Sequence, residues 1–523
     1  MATSTPAAPP EYPDKIDAAV LKIAGVVVLG SIMSILDITV VNVALPTFQE
    51  ELGVENYSTV AWTVTAYTLA LAAVIPLTGW AADRFGTKRL YMLALGLFTA
   101  GSVLCAAAWN IETLIGFRVL QGLGGGMLMP LGMTIMTKAA GPERMGRLMA
   151  ILGVPMLLGP ILGPILGGFL IDEASWHWIF LINLPLGLGA LVYAWRVLDQ
   201  DAPHPSESFD FIGMALMSPG LALFLYGVSS IPDEGGMGHP KVWATMLVGA
   251  LLVIGFVFYS FKPKHPLLDF RLFRNYNLSI STLTMFVFAG AFFGGLLLVP
   301  TYFQQVGGET PLKAGLLVAP QGLGAMLTMP LAGVLADRFP VGRIVPFGLA
   351  LICGGMFALT SLEADTAYGF IIAALFVMGL GMGLTMMPLM TAALRTLKSH
   401  EVARGSTLLN ISQQIASSVG VAIISVVLTN QMKDSRAIEA ARELTEAEAA
   451  GQQPDASVLG YVQSLGAKFE SVVLSDMAHA FAASFFVAFC LCVVALVVSL
   501  FLPKKQEVSH LLDDQGKPPV MIH

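Results

Sequence analysis

Charged side chains are scarce in this chain of 523 residues. Asp, Glu, Lys and Arg together make up 12% of it, about half the share found in an ordinary soluble domain. Hydrophobic residues make up 55%, and the mean hydropathy is +0.74. A water-soluble core cannot bury this much apolar surface, so a soluble globular protein is excluded and an integral membrane protein is indicated.

Cysteine is also scarce, with four residues that all fall inside apolar segments: Cys105, Cys353, Cys490 and Cys492. No disulfide is predicted. The C-x-C spacing at Cys490 and Cys492 places the two thiols on different faces of a helix, which disfavours a metal site. We expect these cysteines to be packing residues.

Several functional signatures are missing. The sequence has no phosphate-binding loop of the form G-x-x-x-x-G-K-[ST], so ATP is not implied and an ion gradient is the expected energy source. No Ser/His/Asp or His/Cys constellation is evident, which disfavours a membrane-bound enzyme or receptor, and we expect neither a cofactor nor a metal. The formal net charge of −7 disfavours a nucleic-acid partner.

Long apolar runs dominate what is present. Fourteen of them have the roughly 20 residues that a bilayer core requires, and they cover approximately 23–46, 59–81, 90–108, 112–136, 148–171, 178–195, 211–231, 242–261, 278–302, 314–336, 344–362, 368–394, 405–430 and 478–502. The polar, Pro-rich start shows no cleavable signal peptide, so the first run is expected to remain in the mature chain. The prediction is an all-α integral membrane protein with fourteen transmembrane helices.

The distribution of basic residues predicts the orientation of these helices. An even number of spans places both termini on one side, and assigning that side to the cytoplasm puts 21 of the 28 Lys and Arg residues in inner segments. We therefore expect a multi-pass protein of the cell membrane with cytoplasmic termini. Lys88, Lys138 and Lys398 should lie inside, and Gln452 outside.

The chain contains an internal repeat. The segment PLTGWAADRFGTKRL at 76–90 reappears as PLAGVLADRFPVGRI at 330–344, with eight of fifteen positions identical. Parallel repeats of this kind place a substrate path at their interface. The predicted organisation is a six-helix bundle at 1–205, two inserted linker helices at 206–275, a second six-helix bundle at 276–503 and a cytoplasmic tail at 504–523.

The second bundle is interrupted by a long outer loop at 431–477. It contains a helix-favouring acidic stretch, then a break, then apolar residues at helical spacing. One or two helices on the outer surface would explain this pattern, but a solvated connector explains it as well and is the preferred interpretation.

The repeated turns carry the first motif. Gly79, Asp83, Arg84, Gly86 and Lys88 match the major facilitator superfamily signature G-x-x-x-D-R-x-G-R-[KR], whereas Thr87 departs from it. A single such turn could serve membrane topology alone, but the copy that includes Asp337 and Arg338 makes the match specific. The chain thus resembles this superfamily, and the resemblance implies that the Asp and Arg lock the two halves together on the inner side in the outward-open state.

Two charged residues lie deep inside predicted spans. Asp37 stands in LDITVVNVALP of helix 1, and Arg118 stands in LIGFRVLQGLGGG of helix 4. A charge in hydrocarbon is costly unless it is paired, and such residues are functional by default. A structural ion pair between helices 1 and 4 is the alternative. The repeat has Leu375 where Arg118 would be expected, so the charged machinery is confined to the first half.

Three segments resemble signatures of the drug:proton antiporters. Two more, WHWIFLINLPLG at 176–187 and HPLLDFRLFRNYNLS at 265–279, narrow the resemblance to the 14-helix antiporters of the EmrB/QacA type. Helices 1 and 4 match their L-D-x-T-[VI]-V-N-V-A-L-P and R-x-x-Q-G signatures. Helix 5 matches G-x-x-x-G-P-x-x-G-G through Gly159, Gly163, Pro164, Gly167 and Gly168. Small residues at this spacing also serve helix packing alone, which remains an alternative. Gln413 departs from the Arg that relatives often carry.

These features predict a proton-coupled multidrug efflux transporter in which Asp37 carries the proton opposite Arg118. The expected substrates are amphipathic or cationic small molecules in a mostly apolar cavity with these polar residues: Thr39, Asn42, Trp62, Tyr67, Gln121 and Gln413. A lipid or lipid-precursor exporter on the same scaffold and a small-solute symporter are the alternatives. Membrane lipid is an expected partner, and accessory export proteins and coupling to Na⁺ are left open.

Overall fold

A computed structural model describes residues 17–54, 57–140, 145–199, 209–231, 238–263, 266–296, 298–398, 401–450 and 453–505. These ranges are helical and contain no strand. The α-helices are α1 (Ala18–Glu51), α2 (Tyr57–Phe85), α3 (Thr87–Ala106), α4 (Ile111–Ala140), α5 (Met145–Glu173), α6 (His177–Leu181), α7 (Asn183–Val197), α8 (Phe211–Ser229), α9 (Pro240–Ser260), α10 (Tyr276–Leu296), α11 (Leu298–Gln305), α12 (Pro311–Arg338), α13 (Val341–Leu359), α14 (Tyr368–Arg395), α15 (Val402–Lys433), α16 (Arg436–Ala450), α17 (Ala456–Leu465) and α18 (Phe469–Ser499).

Thirteen helical segments among the described residues are long and apolar enough to cross a membrane. The predicted sixth span consists of α6 and α7, and the ninth consists of α10 and α11. Helix α5 is not among the thirteen, but its 29 residues give it spanning length. Its Gly159, Gly163 and Gly167 follow Ile35, Thr39 and Val40 of α1 in the same order, so α5 runs parallel to α1. With α5, the fold has the fourteen predicted membrane helices.

The described ends of the chain lie at one end of the helical bundle. Ile23, near the start of α1, lines a cavity beside the first turn of α3. At the other terminus, the Gly342 backbone N–H donates to the carbonyl of Pro503, 3.1 Å away. An ion pair between Asp83 of α2 and Arg404 of α15 joins these two regions. This common end, called the basic end below because Lys88, Lys138, Arg395 and Lys505 also lie there, agrees with an even number of spans.

The two inserted helices, α8 and α9, pack against each other, and α8 also packs against both α2 and α15. Trp80 and Phe209 have ring centroids 4.4 Å apart near the basic end, and Trp62 and Tyr226 stand 5.4 Å apart near the opposite end. Ala422 of α15 belongs to the same small apolar cluster as the last turn of α8. The inserted pair therefore contacts the first and the last part of the chain.

Asp210 fixes the base of this inserted pair. Its carboxylate accepts hydrogen bonds from the Gly213 N–H at 2.7 Å, the Tyr259 hydroxyl at 3.0 Å and the Leu267 N–H at 3.1 Å. The first of these caps the N-terminus of α8, where backbone N–H groups lack helical partners. One buried carboxylate thus joins α8, α9 and the segment that leads to α10.

The region predicted as an outer loop is mostly helical. It contains α16 and α17, the one or two helices that the sequence pattern allowed. Arg436 of α16 stacks over the Tyr461 ring of α17, 4.7 Å from its centroid, and Ser435 donates to Asp476 of α18 at 2.6 Å. Gln452, expected outside, falls beyond the described residues.

Candidate functional site: a buried ion pair between helices

Asp37 and Arg118 form an ion pair inside the helical bundle. The Arg118 Nη1 donates to Asp37 Oδ2 at 2.5 Å. Asp37 is 2% exposed and Arg118 is fully buried. The pair that the sequence suggested between helices 1 and 4 therefore exists, and it is sealed from solvent in this conformation.

Three polar side chains complete the surroundings of the carboxylate. Gln121, one turn after Arg118 on α4, accepts from Arg118 Nη1 at 2.7 Å and donates to Asp37 Oδ1 at 2.7 Å. Its amide also donates to the Ser102 hydroxyl of α3 at 3.2 Å. Asn183 of α7 donates to Ser102 at 3.0 Å and lies 3.5 Å from Asp37 Oδ1. Four helices thus converge on one carboxylate.

Arg118 has supports that do not depend on Asp37. Its Nε donates to the Thr63 carbonyl of α2 at 3.1 Å. Its guanidinium lies over the rings of Tyr67 and Phe180, 4.1 and 5.8 Å from their centroids, and an aromatic face attracts a cation. Within the described part of the chain, its Nη2 is buried without a hydrogen-bond partner. A change in the charge of Asp37 therefore leaves the guanidinium held by α2 and α4.

The six residues expected to line a substrate cavity divide into two groups. Tyr67 and Gln121 are fully buried in the ion-pair network, where the Tyr67 hydroxyl also lies 3.1 Å from that of Ser34. The second group is at least partly exposed: Thr39, Asn42, Trp62 and Gln413. Trp62 stacks on Tyr226 of α8. The structure thus places Tyr67 and Gln121 beside the carboxylate and leaves only the second group accessible.

The glycines of α5 lie against the part of α1 that carries Asp37. A Cβ built on Gly159 would stand 2.2 Å from Ile35 Cγ2, and one on Gly163 would stand 2.1 Å from Thr39 Oγ1. Thr39 donates to the Gly159 carbonyl at 3.1 Å. Gly167 has slightly more room, and a Cβ on Gly168 would meet nothing within 4 Å. Close helix packing therefore explains Gly159 and Gly163 of this motif but not Gly168. The Pro164 side chain lies outside the described residues.

The first repeated turn contacts the last part of the chain at the basic end. Asp83 Oδ2 lies 3.5 Å from Arg404 Nε of α15. A Cβ on Gly79 would approach Thr407 Oγ1 to 3.2 Å and the Arg404 Cα to 3.4 Å. The small residue and the carboxylate of the motif thus both serve the approach of α2 to α15. No motif in the sequence indicated Arg404 as the partner.

Other motif residues shape the turn itself. Gly86 has φ +88°, in the region that favours glycine, and it precedes the first residue of α3. Lys88 donates to the carbonyls of Trp195, at 2.8 Å, and Leu198 at the end of α7. Arg84 ends α2. In the second copy Arg338 is exposed at the end of α12, and the side chain of Asp337 lies outside the described residues.

Helix α4 adds polar contacts to α15 at the same end. The hydroxyls of Thr134 and Ser406 are 3.1 Å apart, and Ser406 also lies 3.3 Å from the Pro130 carbonyl. Asn410 donates to Met133 Sδ at 3.1 Å. These contacts and the Asp83–Arg404 pair are called the seam below. The seam joins α2 and α4 to α15 at the basic end.

The fold and the buried pair define a class: polytopic membrane transporters with a charged site inside the helical bundle. A family model described as Major Facilitator Superfamily matches residues 27–421. The chain therefore belongs to the major facilitator superfamily, a family of transporters rather than enzymes, as the sequence motifs suggested.

Named relatives and solved structures agree with this membership. A Multidrug resistance protein B homolog of Mycobacterium tuberculosis is 46% identical over 502 residues, which cover 95% of this chain and 93% of that protein. The Multidrug export protein EmrB of Haemophilus influenzae is 30% identical over 406 residues, 77% of this chain and 79% of that protein. The solved structure of the proton:xylose symporter XylE has a TM-score of 0.59 at 14% identity, covering 96% of this chain and 99% of that one. The last comparison supports the fold alone.

Proposed function

We propose that this protein is a proton-coupled multidrug exporter that works by alternating access. The buried Asp37–Arg118 pair carries the proposal, because a carboxylate sealed inside a membrane bundle is a candidate for reversible protonation. The names of the relatives support export of small drug-like molecules. Residues 1–205 and 276–503 would be the two moving bundles, joined by the linker helices in 206–275, with both termini in the cytoplasm of a cell-membrane protein.

Protonation of Asp37 would change the local charge without releasing Arg118. Two unit charges about 4 Å apart attract each other by about 4 kcal/mol at an effective dielectric constant near 20. A proton on Asp37 removes this attraction and leaves one uncompensated positive charge among buried side chains. Thr63, Gln121 and the Tyr67 ring still hold the guanidinium. The protonated site therefore favours a conformation that hydrates it, and such a bias can drive a conformational exchange.

The seam supplies the other requirement for alternating access. It closes the basic end, which the positive-inside rule assigns to the cytoplasm. Asp83 and Arg404 would separate when the transporter opens inward to take up substrate. The accessible polar residues Thr39, Asn42, Trp62 and Gln413 would then contact amphipathic or cationic molecules.

The decisive experiment measures export in sealed proteoliposomes with an imposed pH gradient. Asp37→Asn is expected to abolish gradient-driven transport of the cationic dye ethidium, while downhill dye exchange continues because the amide resembles the protonated carboxylate. Asp17→Asn is the matched control on the same helix, since Asn also caps a helix N-terminus well. Gradient-driven transport by Asp37→Asn at the wild-type rate would contradict the proposal.

The same vesicles distinguish the alternatives. Replacing the proton gradient by a sodium gradient tests the coupling ion, and replacing ethidium by a fluorescent phospholipid tests lipid export. Arg118→Ala is expected to destabilise the protein by about 3–5 kcal/mol, because it leaves a buried carboxylate unpaired. Its yield and melting temperature must therefore be measured together with transport.

A further inference from the structure

Two cysteines far apart in the sequence meet inside the last part of the bundle. Cys353 of α13 and Cys492 of α18 have their Sγ atoms 3.2 Å apart. Cys353 is 6% exposed, Cys492 is fully buried, and both are free thiols. The pair lies away from the ion pair, the seam and the α5 glycines, so none of the roles described above uses it.

The surroundings leave the two thiols as each other's polar partner. They belong to a large apolar cluster that also contains the fully buried Met356 one turn along α13. Cys490, two residues before Cys492, is exposed on another face of α18. Helices α13 and α18 pack against each other, and this packing holds the two sulfurs in proximity. The arrangement is a preformed dithiol rather than two isolated cysteines.

We propose that Cys353 and Cys492 form a binding site for monosubstituted trivalent arsenicals of the form R–As=O. Thiol sulfur is a soft ligand that suits soft, thiophilic elements. In the reaction two As–S bonds form, and the As=O oxygen leaves as one water molecule with the two thiol protons. No electrons are transferred, so the site needs no oxidant, unlike a disulfide.

The bound arsenic would act as a covalent link between α13 and α18. It joins positions 139 residues apart, and a link that closes a long loop restricts the unfolded chain. Because α13 and α18 lie on the same side of the seam, the link does not cross from α2 or α4 to α15. The bridged protein should be harder to unfold and should still be able to open the seam.

The experiment uses the purified full-length protein and phenylarsine oxide. Intact mass spectrometry should show one phenylarsenic group per chain, with two thiols lost to alkylation. Peptide mapping should recover the segments around residues 353 and 492 joined through arsenic. A dithiol such as 2,3-dimercaptopropanol should reverse the link, whereas 2-mercaptoethanol at equal thiol concentration should not. The apparent melting temperature should rise on binding.

The variants Cys353→Ser and Cys492→Ser should each lose the dithiol-specific binding and the rise in melting temperature, whereas Cys490→Ser and Cys105→Ser should keep both. The mapping of the wild-type protein decides the matter even if a variant fails to fold. Absence of bound arsenic in the folded wild-type protein, reversal by the monothiol, or a bridge that includes Cys490 or Cys105 would each overturn the proposal.

Discussion

Replacing Gly163 by alanine tests whether α5 and α1 are packed as closely as the structure shows. The new Cβ would lie 2.1 Å from Thr39 Oγ1 and 2.4 Å from Thr39 Cβ. These distances are far below van der Waals contact, and overpacking of this kind typically costs about 1–3 kcal/mol. Gly168→Ala is the matched control on the same helix, because its Cβ meets nothing within 4 Å. There alanine should stabilise the helix by about 0.5–1 kcal/mol.

The two variants should therefore differ in stability by about 1.5–4 kcal/mol, the combined range of these two effects. Unfolding of the detergent-solubilised proteins, followed by tryptophan fluorescence against temperature and denaturant, measures the difference. The double variant Gly163→Ala/Thr39→Gly should be less destabilised than the sum of its single changes, because Thr39→Gly removes both clashing atoms. Equal stability of Gly163→Ala and Gly168→Ala, or strictly additive effects with Thr39→Gly, would refute the packing argument.

Three further predictions concern the seam, the linker helices and the topology. Asp83→Asn and Arg404→Gln should each slow export more than they weaken substrate binding. The double variant should export no more slowly than either single variant. A loss of substrate affinity at unchanged turnover would argue against a gating role. Asp210→Ala should destabilise the protein by about 1–3 kcal/mol, because the buried Leu267 N–H loses its acceptor. Denaturant unfolding measures this cost, and Asp17→Asn is the control variant. In a Cys490→Ser background, Lys398→Cys should react with an impermeant maleimide only from the cytoplasmic side and Lys468→Cys only from the outside, and the reverse pattern would invert the topology.

The sequence predicted the large features because each has a local signal. A membrane span requires about 20 consecutive apolar residues, which can be counted without knowledge of tertiary contacts. The pairing of Asp37 with Arg118 could also be predicted, since two opposite charges in hydrocarbon must find compensation. The repeated turn at 76–90 and 330–344 identified the superfamily, which the family model confirms.

The remaining features depend on contacts between helices distant in the sequence. Ser102 and Asn183 join the network around Asp37 only because α3 packs against α4 and α7 packs against α1. No spacing rule relates these positions. Asn183 did stand in the segment WHWIFLINLPLG, where a polar residue inside an apolar run was a usable signal. The pairing of Asp83 with Arg404 could not be predicted, because both residues lie near helix ends, where charged residues are common.

The structure also places two of the expected cavity residues beside the ion pair, and their contact with substrate stays a prediction. Tyr67 and Gln121 were expected to contact substrate because they are polar residues within spans. Hydropathy does not show which face of a helix a residue occupies, and both lie fully buried around the ion pair. The cysteines illustrate the same point. The spacing of Cys490 and Cys492 correctly predicted that their side chains lie on different faces of α18, but it could not show that Cys492 contacts Cys353.

The composition of the seam determines how much work is needed to open it. It contains one partly exposed ion pair, Asp83–Arg404, and three neutral polar contacts made by Ser406 and Asn410. An exposed pair contributes about 0.2–1 kcal/mol and a neutral hydrogen bond about 0.5–1.5 kcal/mol, which gives a total of about 2–5 kcal/mol. One elementary charge that crosses a membrane potential of 100 mV releases about 2.3 kcal/mol. One or two ions moving down an ordinary gradient therefore match the polar contacts of the seam, and the packing of α5 against α12 adds to the work of opening this end.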